Sequence, residues 1–401
     1  MVRIILLGCG SVGSAVALKL AALRGDLEVI LADYDLTAAE GLAARIGGAR
    51  ACHVDVGNPE SLNQLFSQGD VVLNTVGPFY RTALAVIDAA IKAEIHYVDI
   101  NDDHDVAAAL VEDPAYDRRA KEADIILLIG CGATPGFTNM LAKLGADRMD
   151  SARSIRLCWT VPFLVDRFSP AVMDHLFHML TGEVTQFIDG KHQKVPAYEG
   201  VREVKFRPPF GTYPAYFSGH GEPVTLGHFI PGLEEATIRS FFYPESADDL
   251  MRFLVRSGLG DRELVPELGI SPIQFFTRYA SSAAGRRALV SDLQGEVLGY
   301  ASQVEVCGIR NGSEIRLVFE DHQMLDGSDR SSRGAPDPTA VCARLALERI
   351  LDGEVTRRGF LAPEACIDPA PYIQAVLDET GKTIYEQEEV IVKRTFAPNR
   401  Q

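Results

Sequence analysis

The chain has 401 residues, 47% of them hydrophobic, and a formal net charge of -16. That length predicts two or three domains, and the acidic balance argues against a nucleic acid or an anionic membrane as partner. No basic leader, cleavage pattern or membrane-length apolar run is visible, so a cytoplasmic protein is expected, and seven scattered cysteines with no CxxC spacing read as buried reduced thiols rather than a metal site.

From residue 1 to about 132, short aliphatic runs alternate with helical periods, as in a parallel α/β sheet. Strands are predicted at 2–7, 28–33, 71–74, 95–99 and 124–129, with helices at 12–24, 37–46, 59–66, 80–93 and 113–122. This is a doubly wound Rossmann layout. Beyond about 142 the texture changes to longer β-type runs. Asp189-Gly190 and Asn311-Gly312 are hairpin signals, and VREVKF, YPAYFSG and TIRSFFY add strands. Helices at about 169–181, 246–257 and 271–284 interrupt them, which predicts a second α+β domain with a mainly antiparallel sheet and a helical insertion. The polar run 326–338 suits a mobile crossing loop, a helix capped near Asp337 follows it, and the tail holds a strand-like EEVIVKR. The expected division is a cofactor domain at 1–132, with helices from about 337–401 packing back on it, and a substrate and dimerisation domain at 133–336.

The opening VRIILLGCGSVGSAVALKL carries GxGxxG between a predicted strand and a predicted helix. The helix start offers unpaired N–H groups and a positive dipole end to a pyrophosphate, and the glycines let the backbone come close. Gly8, Gly10, Ser11, Val12 and Gly13 are therefore expected to hold a dinucleotide. Asp33, ending the second strand, suits the ribose hydroxyls and repels a 2′-phosphate. Lys19 and Arg24 lie on the preceding helix rather than beside it, so NAD is favoured over NADP. A second flavin signature is absent. Asp55, Val76, Gly77, Pro78 and Phe79 complete the expected cofactor contacts.

Three later segments carry a family likeness: NTVGPFYRTALAVIDAAIKAEIHYVDINDD (74–103), LIGCGATPGFTNMLAKLGAD (128–147) and GFLAPEACIDPAPYIQAVLDETG (359–381). With the glycine turn they resemble the saccharopine dehydrogenase-like superfamily, which includes saccharopine reductase, lysine 6-dehydrogenase and carboxynorspermidine dehydrogenase. The stretch from DGKHQKVPA through PAYFSGHGEPVTL to RSFFYP is most similar in outline to lysine 6-dehydrogenase. The resemblance implies a two-domain enzyme, often a homodimer, that uses a nicotinamide cofactor to oxidise or form a C–N bond in an amino-acid-derived amine. It also implies that the GPFY turn passes the nicotinamide and that Tyr97 to Asp103 faces substrate. Saccharopine reductases typically carry Asp before the Pro-Gly of the second segment. Thr134 stands there, before Pro135, which argues against saccharopine itself.

Moving a hydride to or from a carbon bearing nitrogen requires proton transfer at that nitrogen. Asp103, Asp102 and His104 are the candidates, Asp103 first because it matches the family's acidic position. The same DDHD run also suits capping of a helix beginning near Val106. Tyr80 is a possible donor, and Asp99 is expected to order a strand-end turn. A substrate carboxylate calls for an arginine fork, with Arg167, Arg202, Arg207 and Arg239 as candidates. Thr134, Pro135 and His220 are expected to line the substrate cleft. His175 and His178 share a helical face, but no third ligand of matching logic follows, so they read as ordinary helix residues and no metal is expected. The expected activity is NAD-dependent chemistry at a C–N bond of an amino-acid-derived amine, either oxidative deamination of a lysine-like side-chain amine or reductive condensation of an amine with a carbonyl compound. A carbonyl reductase and a nucleotide-sensing protein without turnover are the alternatives.

Overall fold

The computed structural model describes residues 2–23, 25–162, 170–290, 298–325 and 337–391. The N-terminal part alternates strictly: β1 (Val2–Leu7), α1 (Ser11–Leu23), β2 (Leu27–Asp33), α2 (Leu36–Ile46), β3 (Arg50–His53), α3 (Pro59–Phe66), β4 (Val71–Asn74), α4 (Phe79–Lys92), β5 (His96–Asp99), α5 (His104–Glu112), α6 (Ala115–Glu122) and β6 (Ile126–Leu128). Next come α7 (Phe137–Asp147), β7 (Ser151–Pro162), α8 (Pro170–Leu180), β8 (Glu183–Ile188), β9 (Lys191–Pro196), β10 (Arg202–Lys205), β11 (Thr212–Phe217), α9 (Glu222–Phe229) and β12 (Glu235–Tyr243). The rest is α10 (Glu245–Arg256), α11 (Pro272–Ser281), α12 (Ala283–Val290), β13 (Leu298–Arg310), β14 (Ser313–Leu325), α13 (Pro338–Leu351), β15 (Gly359–Leu361), α14 (Pro363–Cys366), α15 (Pro369–Thr380) and β16 (Tyr385–Ile391).

The first sheet has the order β15-β6-β5-β4-β1-β2-β3, and its pairings are parallel. Its strands read as near-continuous aliphatic runs because helices cover both faces; Ile4 to Leu7 are all fully buried. The order reverses between β1 and β4, so the strand ends there open a crevice for a ligand. Helix starts are set locally. Asp35 accepts from the Thr37 amide at 3.0 Å, Asn58 from Glu60 at 2.9 Å and Asp337 from Thr339 at 2.9 Å.

The second sheet runs β10-β11-β12-β7-β13-β14-β16, with β8 and β9 attached through β12. Among the described residues only the β12–β7 pairing of this sheet is parallel, so the expected α/β plus α+β fold class holds. Both hairpin signals form tight turns: Asp189 and Gly190 have φ of 53° and 73°, Asn311 and Gly312 of 51° and 76°, the two positive values that a type I′ turn requires. The chain returns to the first sheet at β15 and then adds β16 to the edge of the second beside β14. Of the crossing loop expected at 326–338, residues 326–336 lie outside the described residues, as do Arg24 and the tail beyond 391, while Asp337 and Pro338 already cap and open α13. No described helix is long and apolar enough to cross a membrane.

One core joins the two sheets. Ile4 and Leu6 of β1 belong to the same buried cluster as Met140 and Leu141 of α7, Ile155 of β7 and Phe319 of β14. The odd-numbered residues of β7 (Ile155, Leu157, Trp159) and the even-numbered ones of β12 (Ile238, Ser240) share the sheet face that meets this core. The opposite face carries Arg156, Glu235, Arg239 and Glu305.

Candidate active site

The glycine turn is as tight as its sequence requires. Gly8 has φ of +98°, and a Cβ on Gly13 would lie 2.0 Å from the Gly8 carbonyl oxygen. Neither position tolerates a side chain. Gly10 has open space beside it, Ser11 opens α1 and is exposed, and Val12 is half-buried. Asp33 ends β2, where its carboxylate accepts N–H groups from Cys9 at 2.6 Å and Asp35 at 2.8 Å. The acid is thus fixed at the base of the turn, followed by exposed Tyr34 and Asp35 rather than a cation. Lys19 on α1 pairs with Glu379 at 3.6 Å. Asp55 follows β3 and accepts from the Gly57 amide at 2.8 Å. After β4 the Val76 amide donates to Asn74 at 3.0 Å, Gly77 is exposed, Pro78 precedes α4, and Phe79 is buried at its first position. These groups converge on one end of the parallel sheet, a cradle that suits a dinucleotide.

The end of β5 is held by Asp99. Its carboxylate accepts from the amides of Asn101 at 3.0 Å and Gly130 at 2.8 Å and from the Tyr97 hydroxyl at 2.8 Å. Burial pushes its carboxyl up to about 7, against the pull of those three donors. The expected turn-ordering role matches this geometry.

The DDHD run then meets α8 of the other half. Asp103 occupies the N-cap position of α5, yet its side chain makes no capping bond. Fully buried, it accepts the Tyr80 amide N–H at 2.8 Å and lies 3.1 Å from His175 Nδ1. The other ring nitrogen of His175, Nε2, lies 3.2 Å from the Asp102 carboxylate, whose side chain remains 31% exposed. Burial lowers the His175 pKa, but the two carboxylates outweigh it and hold the imidazole well above its ordinary value. Asp102 is held below the usual carboxylate range, because His175 outweighs its own burial.

His178, one turn on, reaches Asp105 at 3.3 Å and stacks on the Tyr80 ring at 3.9 Å. The Tyr80 hydroxyl is tied to Asp174, which also binds Arg81 at 2.9 Å and Arg262 at 2.8 Å. His104 is buried, and the Thr185 amide donates to its Nδ1 at 3.3 Å, which leaves the proton of the neutral ring on Nε2. Burial pushes it down to about 4.

Thr134 and Pro135 lie on the far wall. A Cβ on Gly136 would stand 2.1 Å from the Gly132 carbonyl oxygen, so the Pro-Gly turn is locked. The Thr134 hydroxyl donates to Glu222 at 2.5 Å, and the same carboxylate accepts from Thr138 at 3.2 Å and lies 2.6 Å from His220 Nδ1. Burial lowers the His220 pKa, but Glu222 outweighs it and raises the value above normal. Thr134 thus stands against a carboxylate from α9, Glu222.

Of the expected arginines, Arg239 lies on the opposite sheet face. Its guanidinium donates to the Gly200 carbonyl at 2.9 Å and covers the Phe217 ring at 4.0 Å, and burial beside Arg202 pushes it down to about 10. Arg202 pairs with Glu305 at 2.8 Å, and Arg207 covers Tyr385 at 4.6 Å. None of the three joins the cluster of Asp102, His175 and His220, and Arg167 lies outside the described residues. The sequence reading set His175 and His178 aside as ordinary helix residues and did not single out Glu222. The histidines had a visible signal in their shared helical face, and Glu222 one in its place two residues after His220.

Residues 4–134 match the family model described as the saccharopine dehydrogenase NADP binding domain. A carboxyaminopropylagmatine dehydrogenase of Synechocystis sp. is 24% identical, with 96% of this chain and 98% of that protein covered. The apo saccharopine dehydrogenase (L-Glu forming) of Saccharomyces cerevisiae has a similar fold, with a TM-score of 0.68, 17% identity, and coverage of 97% of this chain and 100% of that one. By these likenesses residues 4–134 are similar to the nicotinamide-binding domain of saccharopine dehydrogenases, the fold of the whole chain is similar to theirs, and the chain is an oxidoreductase.

Proposed function

We propose that this enzyme uses NAD to oxidise, or in reverse to form, the C–N bond of an amino-acid-derived amine with a lysine-like side chain. In this division the segment 1–132, with the helices from 337 onward, holds the cofactor, and 133–336 carries the substrate wall. The observation that carries the proposal is the chain Asp102–His175–Asp103 at the end of β5, buried at Asp103 and partly exposed at Asp102, beside the GPFY turn. The name of the Synechocystis relative describes a substituted amine, which agrees with C–N chemistry.

The groups that would hold the cofactor are the amides at the start of α1, the Asp33 carboxylate and the 76–79 turn. When bound, the nicotinamide supplies the hydride acceptor or donor at the substrate carbon. In the oxidative direction the substrate nitrogen must lose a proton as its carbon loses hydride. Asp102 is the partly exposed end of the carboxylate–imidazolium chain and takes that proton from the substrate ammonium. His175 holds Asp102 in place, and Asp103 acts through His175 by fixing its ring. Reduction runs the same proton back to the imine nitrogen. Asp33, with no cation following it, favours NAD over NADP.

The test is the absorbance of reduced nicotinamide with NAD or NADP and a panel of lysine, ornithine, diamines, saccharopine and secondary-amine opines. One amine should reduce NAD, and Asp102→Asn should cut turnover on it by about 100-fold while NAD binding stays unchanged. A fully active Asp102→Asn variant would overturn the role of Asp102. Silence across the panel would overturn the C–N reading.

A further inference from the structure

Three side chains converge beside the Asp102–His175–Asp103 chain without belonging to it. His104 and Asp105 open α5 in the half built on the parallel sheet, and His178 comes from α8 of the other half. One ligand atom from each lies within 4.8 Å of the other two. Sequence spacing gave the α8 histidines no third ligand of matching logic. The fold brings Asp105 to His178 from 73 positions away, and His104 with it.

The separations suit a single divalent transition-metal ion. Nitrogen and oxygen ligands bound tetrahedrally at about 2.0–2.2 Å stand about 3.3–3.5 Å from one another, and His178 Nε2 is 3.3 Å from an Asp105 oxygen. Two imidazoles on one such ion have ring centres about 5–6 Å apart. Those of His104 and His178 are 5.9 Å apart, with their planes 11° from parallel.

Protonation and access agree with this. Burial pushes His104 down to about 4, so its ring is neutral at neutral pH. Asp105 is held below the usual carboxylate range because His178 outweighs its burial. A neutral imidazole has one lone pair, and in His104 that pair faces the Thr185 amide at 3.3 Å, a bond longer than usual that an ion would displace. The Asp105 side chain is 39% exposed and that of His178 19%, so an ion can enter from solvent and keep a water in its fourth position. Two imidazoles with one carboxylate suit zinc and its first-row neighbours, whereas magnesium and calcium call for oxygen ligands throughout.

We propose that His104, Asp105 and His178 form a binding site for one divalent transition-metal ion of the zinc class, which pins α8 of one half to α5 of the other. The site is independent of the amine-dehydrogenase reading, because its readouts need no turnover.

The experiment uses the full chain without a histidine tag, stripped with EDTA and dialysed. Zn²⁺ is titrated by calorimetry, and Co²⁺ is followed by its visible absorption, which reports coordination geometry. One ion per chain is expected, with a melting temperature raised by zinc and not by magnesium. Asp105→Asn and His178→Ala should each raise the Kd for Zn²⁺ at least about 100-fold, since losing a group that merely orients a ligand already costs about 10–100-fold. Asp105→Asn changes a partly exposed side chain at constant shape, and it decides the matter if His178→Ala does not fold. No binding, equal stabilisation by magnesium, or an unchanged Kd in Asp105→Asn overturns the proposal.

Discussion

Asp33 shows how much one side chain can decide. Its carboxylate is already held by the Cys9 and Asp35 amides, so it meets a ribose without further ordering. Hydrogen bonds to a charged acceptor contribute about 1.5–3 kcal/mol each. Asp33→Asn keeps the shape and removes the charge, and we expect the ratio of kcat/KM with NAD to that with NADP to fall at least about tenfold. A ratio unchanged on assay with both cofactors would show that Asp33 does not select between them. This residue was legible because strand, turn, helix and acid fall within one continuous stretch. The partnership of His175 with Asp103 was not, since its members lie 72 positions apart and neither sits in a motif that names the other. Glu222 was hidden for the same reason: its role depends on Thr134, which only the fold brings near.

Helix α8 matters as an element because one of its residues fastens it to the cofactor half. Asp174 gathers the Tyr80 hydroxyl, Arg81 and Arg262, and this brings His175 and His178 down onto the 102–105 run. Asp174→Ala leaves two cations and a hydroxyl without their acceptor, and should cost about 1.5–3 kcal/mol of stability. The expected signature is a raised KM for the amine with NAD affinity unchanged, measured by steady-state kinetics and cofactor titration; equal loss of both would place the clasp in the general fold instead. Among elements, the period of α1 and the Asp-Gly and Asn-Gly turns gave correct expectations because their signals are local. β3 escaped notice since RACH has four residues and no alternation. The start of α5 at His104 was obscured because Asp103, where a capping acid belongs, turns its carboxylate toward Tyr80 and His175.

The whole molecule is organised around a core that both sheets share. Separation into independently folding units is not what the packing offers: β1, α7, β7, β14 and α13 contribute to one buried cluster. We therefore expect calorimetry to show a single unfolding transition, moved as a unit by NAD, with about 2.7 kcal/mol added at a cofactor concentration about 100 times its Kd. Two transitions, of which only one responds to NAD, would refute a common core. The bond between Thr134 and Glu222 has a consequence of another kind. Saccharopine reductases, which typically carry Asp before the Pro-Gly turn, already have a negative charge where this chain sets Thr134 against Glu222 of α9. Two carboxylates forced together there would repel, and one would have to take up a proton. Thr134→Asp should therefore lower the melting temperature of the protein, and Glu222→Gln in the same chain should restore part of the loss, so that a cycle of the two substitutions reads how closely the walls of the cleft share one charge.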